Sequence, residues 1–278
     1  MNIEMNLQKD NWTAEDYSEF VKYLKTFADE QYRRFHHSLI PDSEIHTFIG
    51  VRMPKMRELG KEIAKGNPRS FLAVCKSGFY EERMMRGIVT GLVKPKDFDE
   101  LCSLCEDFVP YVNNWALCDC FCSGLKAVKK YKSRFFDFIC DRLCVMGNAW
   151  AVRVAIVLML DYYLEDEYID EVLMLVDGCR YEDYYVKMAQ AWLIATAFAK
   201  CREKTLAYFV NEATVFDDVY NMAIQKAVES RRIDDETKAY LRTLKKTGDL
   251  YTSNTPPNAD GFSVVAVGVQ VIEKKKAT

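Results

Sequence analysis

The chain has 278 residues, 38 Lys and Arg against 41 Asp and Glu for a net charge of −3, and 49% hydrophobic content. Such a balance suits a soluble globular protein with room for a substantial core, folded as one large domain or two small ones. The first residues, Met1 to Trp12, mix Glu4, Lys9 and Asp10 with polar neighbours and hold no apolar run, so no secretory leader is expected. The longest apolar stretch, Val154 to Leu160, is bounded by Arg153 and Asp161 and is too short to span a bilayer. A cytoplasmic location and no membrane partner are expected.

In chain order, a helix is expected after Thr13 and another near Asp29 to Leu39. Breaks follow at Pro41, Pro54, Pro68 and Pro95; Pro54 and Pro68 stand where a periodic run begins, the first-turn position that tolerates proline. No proline occurs between Tyr111 and Thr255, and apolar residues there keep helical rather than alternating spacing. Pairs of helices are therefore expected up to Lys246. Beyond Gly248 come Pro256-Pro257 and a β-prone run from Phe262, ending in three lysines, which does not continue the pattern.

Self-similarity organises this region. Tyr80, Trp115, Trp150, Tyr185 and Tyr220 follow one another at intervals of 35 residues, each near the start of an apolar helical run. Four positions further on stand Met84, Val154, Ala189 and Ile224, with Asp119 as the exception in the Trp115 run. The fold expected is all-α: a superhelical solenoid of HEAT-like antiparallel helix pairs over residues 13–246, with 247–278 as a C-terminal extension.

Ten cysteines raise the question of a metal, notably Cys102 with Cys105, the Cys118, Cys120, Cys122 run, and Cys140 with Cys144. Their helical spacing and their Leu, Phe and Val neighbours favour small buried thiols in a reducing compartment. Neither metal nor cofactor is expected. A Walker A loop, a Gly-x-Gly-x-x-Gly run and a His-Glu-x-x-His motif are all missing, which argues against nucleotide hydrolysis and metalloprotease chemistry.

The 35-residue register aligns four unusual side chains. Relative to Trp115, Asp119 is at i+4, Arg153 projects to i+3 and Trp192 to i+7, so they share an arc of roughly 100° on neighbouring helices. An inward-packed stripe has the same geometry. Either tryptophan alone would ordinarily be core, and Arg153 could be a structural link to Asp119 across adjacent helices. Asp119 is harder to explain by packing, because it stands among thiols and aromatics where an unpaired carboxylate is costly.

The segments Gly50-Val-Arg-Met-Pro-Lys-Met-Arg-Glu-Leu, Asn114-Trp-Ala-Leu-Cys-Asp, Trp150-Ala-Val-Arg-Val-Ala-Ile, Tyr185 to Trp192, and Ala223-Ile-Gln-Lys followed by Glu229-Ser-Arg-Arg resemble the AlkD-type DNA alkylation repair proteins in order and spacing, from about Thr13 to Lys246. That resemblance implies a DNA glycosylase releasing cationic N3- or N7-alkylated purines from double-stranded DNA, as a monomer. It implies Asp119 as catalytic carboxylate, Trp115 and Trp192 as tryptophans of the catalytic face, and Arg153 as a phosphate contact, with Tyr185 and Trp150 expected on the DNA as well. The chemistry suits these residue types. A cationic purine leaves readily, and a fixed carboxylate can stabilise the positive charge that develops on the sugar.

The acidic net charge is poor for a nucleic-acid binder. Basic residues nevertheless cluster between Arg52 and Arg69, between Lys126 and Arg134, and between Arg231 and Lys246. The competing expectation is a non-catalytic HEAT-like scaffold that binds DNA structures or a protein. What separates the two is whether Asp119, Arg153 and both tryptophans share one solvent-reachable concavity with basic walls; an Asp119 buried in a closed ion pair would remove the centre of the enzyme reading.

Overall fold

The computed structural model describes residues 5–40 and 45–246, and among them are fourteen α-helices and no strand. The β-prone run from Phe262 and the extension 247–278 lie outside the described residues. In chain order the helices are α1 (Ala14–Lys25), α2 (Glu30–Ser38), α3 (Met53–Lys65), α4 (Pro68–Val74), α5 (Tyr80–Leu92), α6 (Phe98–Phe108), α7 (Trp115–Gly124), α8 (Lys132–Phe138), α9 (Ala149–Tyr162), α10 (Ile169–Gly178), α11 (Tyr184–Lys200), α12 (Arg202–Asn211), α13 (Asp217–Glu229) and α14 (Asp235–Thr243).

Local chemistry sets the boundaries. Thr13 and Asp16 form a reciprocal capping box that starts α1. Asp29 caps α2 by accepting from the Tyr32 N–H at 2.9 Å, and the prolines at 54 and 68 occupy first-turn positions of α3 and α4. Asn114, Asn148 and Asp183 cap α7, α9 and α11, accepting from Leu117 at 3.0 Å, Ala151 at 2.8 Å and Tyr185 at 2.8 Å. Because Asn114 rather than Asn113 supplies the first cap, α7 begins one residue later in the register than its two successors.

Helices α3, α5, α7, α9, α11 and α13 pack each against the next, forming one row, with the other member of each pair behind it. Neighbours in this row pack more closely than α10 and α12 do behind it. Helix α9 is mostly apolar apart from Arg153 and Asp161 and is buried over most of its length, as expected for a helix with neighbours on both flanks.

The core is in two parts that meet at α7. Leu117 packs into the N-terminal cluster with Phe20, Phe71 and Tyr80, whereas Cys118, Phe121 and Cys122 of the same helix pack into the larger C-terminal cluster. With these two faces taken up by the cores, a third side of α7 is left to point outward. The ten thiols are all free, and burial pushes Cys105 and Cys122 well above the ordinary thiol range. Among the described residues no group of three or more His, Cys, Asp or Glu is placed to hold a metal. No helix there is long and apolar enough to cross a membrane.

One loop is pinned from below. The buried Glu81 carboxylate accepts from the N–H groups of Ile49, Gly50 and Val51 at 2.9, 2.7 and 3.2 Å. Gly50 has a φ of 93°, and a Cβ there would stand 2.7 Å from the Asp29 carbonyl, so only glycine is accommodated. The segment thereby fixed leads directly into α3.

Candidate active site

The centre of the site is the first turn and a half of α7. Trp115 opens the helix; its indole N–H donates to the Leu39 carbonyl at 3.0 Å, tying the end of α2 to the start of α7. The ring is half-buried against the N-terminal core. One turn on, Asp119 is on the side of α7 that neither core occupies.

Arg153 of α9 comes up beside it. Its Nη2 donates to both carboxylate oxygens, at 2.9 Å to Oδ1 and 3.1 Å to Oδ2, and its Nη1 donates to the Tyr185 carbonyl at 2.7 Å. The two partners are unequally covered, with side-chain exposures of 6% for Arg153 and 24% for Asp119. The guanidinium is thus buried, while the Asp119 side chain stays partly exposed with both carboxylate oxygens held by Arg153. Arg153 Nε is also buried, with no partner among the described residues. Its two Nη groups are committed within the protein, which leaves little of it for the phosphate contact expected from the sequence.

Electrostatics at this pair pull in opposite directions. Burial raises the Asp119 carboxyl above the ordinary carboxylate range, while the Arg153 charge and hydrogen bond, the Cys118 thiol and the Lys226 ammonium favour its ionised form. Burial likewise works against the Arg153 charge, and Asp119 more than compensates, so its pKa is raised.

The aromatic repeat divides into two roles. Tyr80 is 2% exposed and stacks on Phe48, and Tyr220 is 6% exposed and stacks on Phe209, so the two ends of the series are core. The middle members Trp115, Trp150 and Tyr185 are all half-buried. Trp150 stacks on Tyr185 with centroids 5.2 Å apart and planes at 30°, and Tyr184 meets Tyr185 edge-on at 5.2 Å. The Arg153 guanidinium lies 6.0 Å from the Tyr185 ring centre, so Trp150, Tyr185, Arg153 and Asp119 form one connected set. Trp192, in the middle of α11, is half-buried against the C-terminal core and its indole N–H has no partner among the described residues.

Two ionisable groups that sequence reasoning did not single out belong to the same neighbourhood. Asp161, near the end of α9, is pushed up to about 6 by burial, with Asp119 adding to the effect and Lys126 and Lys200 opposing it; its Oδ2 is buried without a partner. Its signal was available, because it stands at the same register position as Lys126, eleven residues past the repeated aromatic. Lys226 of α13 acts on both Asp119 and Arg153. No register argument reaches it, since it projects onto Ala191 and Phe121.

The basic clusters are partly neutralised. Arg52 pairs with Asp29, Arg69 with Glu100, Lys132 with Glu165 and Lys246 with Asp217. Lys126, Lys129, Lys130, Arg231, Arg232 and Arg242 make no ion pair among the described residues.

The fold and site are those of an all-α stack of helix pairs that carries an ion-paired carboxylate and half-buried aromatics on one row. The chain belongs to the family of DNA alkylation repair enzymes, whose model matches residues 17–232. Neither a curated protein nor a solved structure matches it. Its role is accordingly in the repair of alkylated DNA.

Proposed function

We propose that the protein is a DNA glycosylase that hydrolyses the N-glycosidic bond of cationic N3- or N7-alkylated purines in duplex DNA. The observation that supports this is the Asp119 carboxylate, held through both oxygens by the buried Arg153 and still about a quarter exposed, with a side-chain exposure of 24%. A carboxylate closed inside its ion pair would have favoured the scaffold alternative.

An alkylated N3 or N7 makes the purine a good leaving group, so the barrier lies in positive charge developing at C1′ as the bond breaks. A fixed carboxylate stabilises that charge and orients the attacking water, and it does so better in a partly desolvated setting than in bulk water. We assign Arg153 the task of orienting Asp119 and keeping it ionised, as a positioning residue. Trp192 and the Trp150–Tyr185 pair offer π faces to the cationic base or sugar, worth roughly 0.5–2 kcal/mol per contact. Phosphate contact falls to the unpaired cations, among them Lys129 and Lys130. The enzyme works without metal or cofactor, as a monomer on double-stranded DNA in the cytoplasm.

The test is release of 7-methylguanine and 3-methyladenine from methylated duplex DNA by wild type and Asp119→Asn. Release by wild type with a large loss in the variant is expected; equal release by both, or none by either, refutes the assignment.

A further inference from the structure

Helices α4 and α6 each pack on α5, and the three of them, with Tyr111 from the turn that follows α6, enclose a cavity of about 360 Å³. No residue of α7, α9 or α11 lines it, so it is separate from the Asp119 site. A glycine admits one of its walls. At Gly87 a Cβ would stand 2.7 Å from Phe108 Cζ, and its absence lets the Phe108 ring lie directly against α5.

Three charged side chains line this cavity, and only Arg69 is neutralised. Arg69 donates Nε and Nη2 to the two Glu100 carboxylate oxygens at 2.6 and 3.0 Å, and Nη2 also to the Lys94 carbonyl at 2.8 Å. Arg86 makes no ion pair among the described residues: its Nη2 donates to the Cys75 carbonyl, and its guanidinium lies 4.5 Å from the centre of the Tyr111 ring. Its charge is thus stacked but unmatched, with most of its N–H donors uncommitted. Asp107 is exposed near the C-terminal end of α6, where the helix carbonyls disfavour a carboxylate, and no cation among the described residues pairs with it. Arg86 and Asp107 therefore present opposite charges to one cavity without meeting each other. The Thr90 hydroxyl and the Tyr111 phenol, also in its walls, make no hydrogen bond among the described residues. Leu72 and Leu104 complete an apolar side with Phe108.

We propose that this cavity is a binding site for a small zwitterion, an α-amino acid with an apolar side chain. Its carboxylate sits on the Arg86 guanidinium and the two free hydroxyls, its ammonium on Asp107, and its side chain against Leu72, Leu104 and Phe108. The charges select this class. A simple anion gains Arg86 but is repelled by Asp107, and a simple cation meets the reverse. A neutral apolar molecule would desolvate both charges without replacing their water. Duplex DNA, a polyanion, brings nothing for Asp107. Only a ligand carrying both charges satisfies both walls through charge-assisted hydrogen bonds. Ligand cavities run from roughly 300 to 1,000 Å³, and this one is near the small end, as a single amino acid requires.

The test is calorimetric titration of the full-length protein with L-phenylalanine, L-leucine and 3-phenylpropanoate, the last being phenylalanine without its ammonium. Wild type should bind at least one of the amino acids saturably, and phenylalanine more tightly than 3-phenylpropanoate. Asp107→Asn, at an exposed position where folding is not at stake, should weaken amino-acid binding about threefold or more through loss of one ion pair. The same variant should bind 3-phenylpropanoate no worse than wild type does. Saturable binding of neither amino acid, equal affinity of wild type for phenylalanine and 3-phenylpropanoate, or undiminished amino-acid binding by Asp107→Asn overturns the proposal. The comparison of the two ligands on wild type decides even without the variant. Release of 7-methylguanine is measured separately, so neither result bears on the glycosylase assignment.

Discussion

Replacing Asp161 by Asn should make the protein more stable at neutral pH. Burial pushes the Asp161 carboxyl up to about 6, and its Oδ2 has no partner. The ordinary value is near 3.9, so the ionised form is disfavoured in the folded state by about 3 kcal/mol at ~1.4 kcal/mol per pH unit. The side chain is only half-buried, and solvent screening reduces this to about 1–2 kcal/mol. The folded protein holds the proton more tightly than the unfolded chain, so stability is lost as pH rises from near 4 through about 6, and the penalty is complete above that. Asn has no charge to bury, and thermal melting at pH 7.5 should show a gain of roughly 3–8 °C for a domain of this size. At pH 4 the two proteins should melt together. A variant that melts at or below wild type at pH 7.5, or a difference that does not change with pH, would refute this reasoning.

Further outcomes follow from the same geometry. Arg153→Met leaves the Asp119 carboxylate without its counter-charge, which should cost about 3 kcal/mol of stability by denaturant titration. The same change raises the Asp119 pKa further, so the acid limb of the pH–rate profile should move to higher pH; an unmoved limb would remove Arg153 from its orienting role. Trp192→Ala should lower kcat/KM for a cationic alkylpurine roughly 3- to 30-fold through loss of one π face, together with a lower melting temperature because the ring also packs on the core. Lys129→Ala should reduce the salt slope of duplex binding by about one counterion, whereas Arg153→Lys should leave that slope unchanged. A smaller slope for Arg153→Lys would return the arginine to phosphate contact.

Much of the architecture could be read from sequence because helical repeats write their boundaries locally. Thr13, Asp29, Asn148 and Asp183 are capping residues in front of periodic apolar runs, and each caps the helix it precedes. The Asp119–Arg153 link across adjacent helices was one of the open alternatives, and the structure forms it. The aromatic series could be found but its roles could not. Whether Tyr80 stacks on Phe48 or faces solvent depends on a loop held by Glu81, more than thirty residues from the ring's partner in sequence. Exposure of Asp119 was hidden for a similar reason. It depends on α7 sharing its two other faces between two cores, which no single helix pattern reveals.

The most direct measurement is single-turnover release of 7-methylguanine from a defined duplex by wild type and Asp119→Asn, after confirming that both bind the duplex with similar affinity. If the propped carboxylate stabilises charge at C1′, the variant should be slower by about a hundredfold or more. Release at the wild-type rate would show that Asp119 is only the structural partner of Arg153.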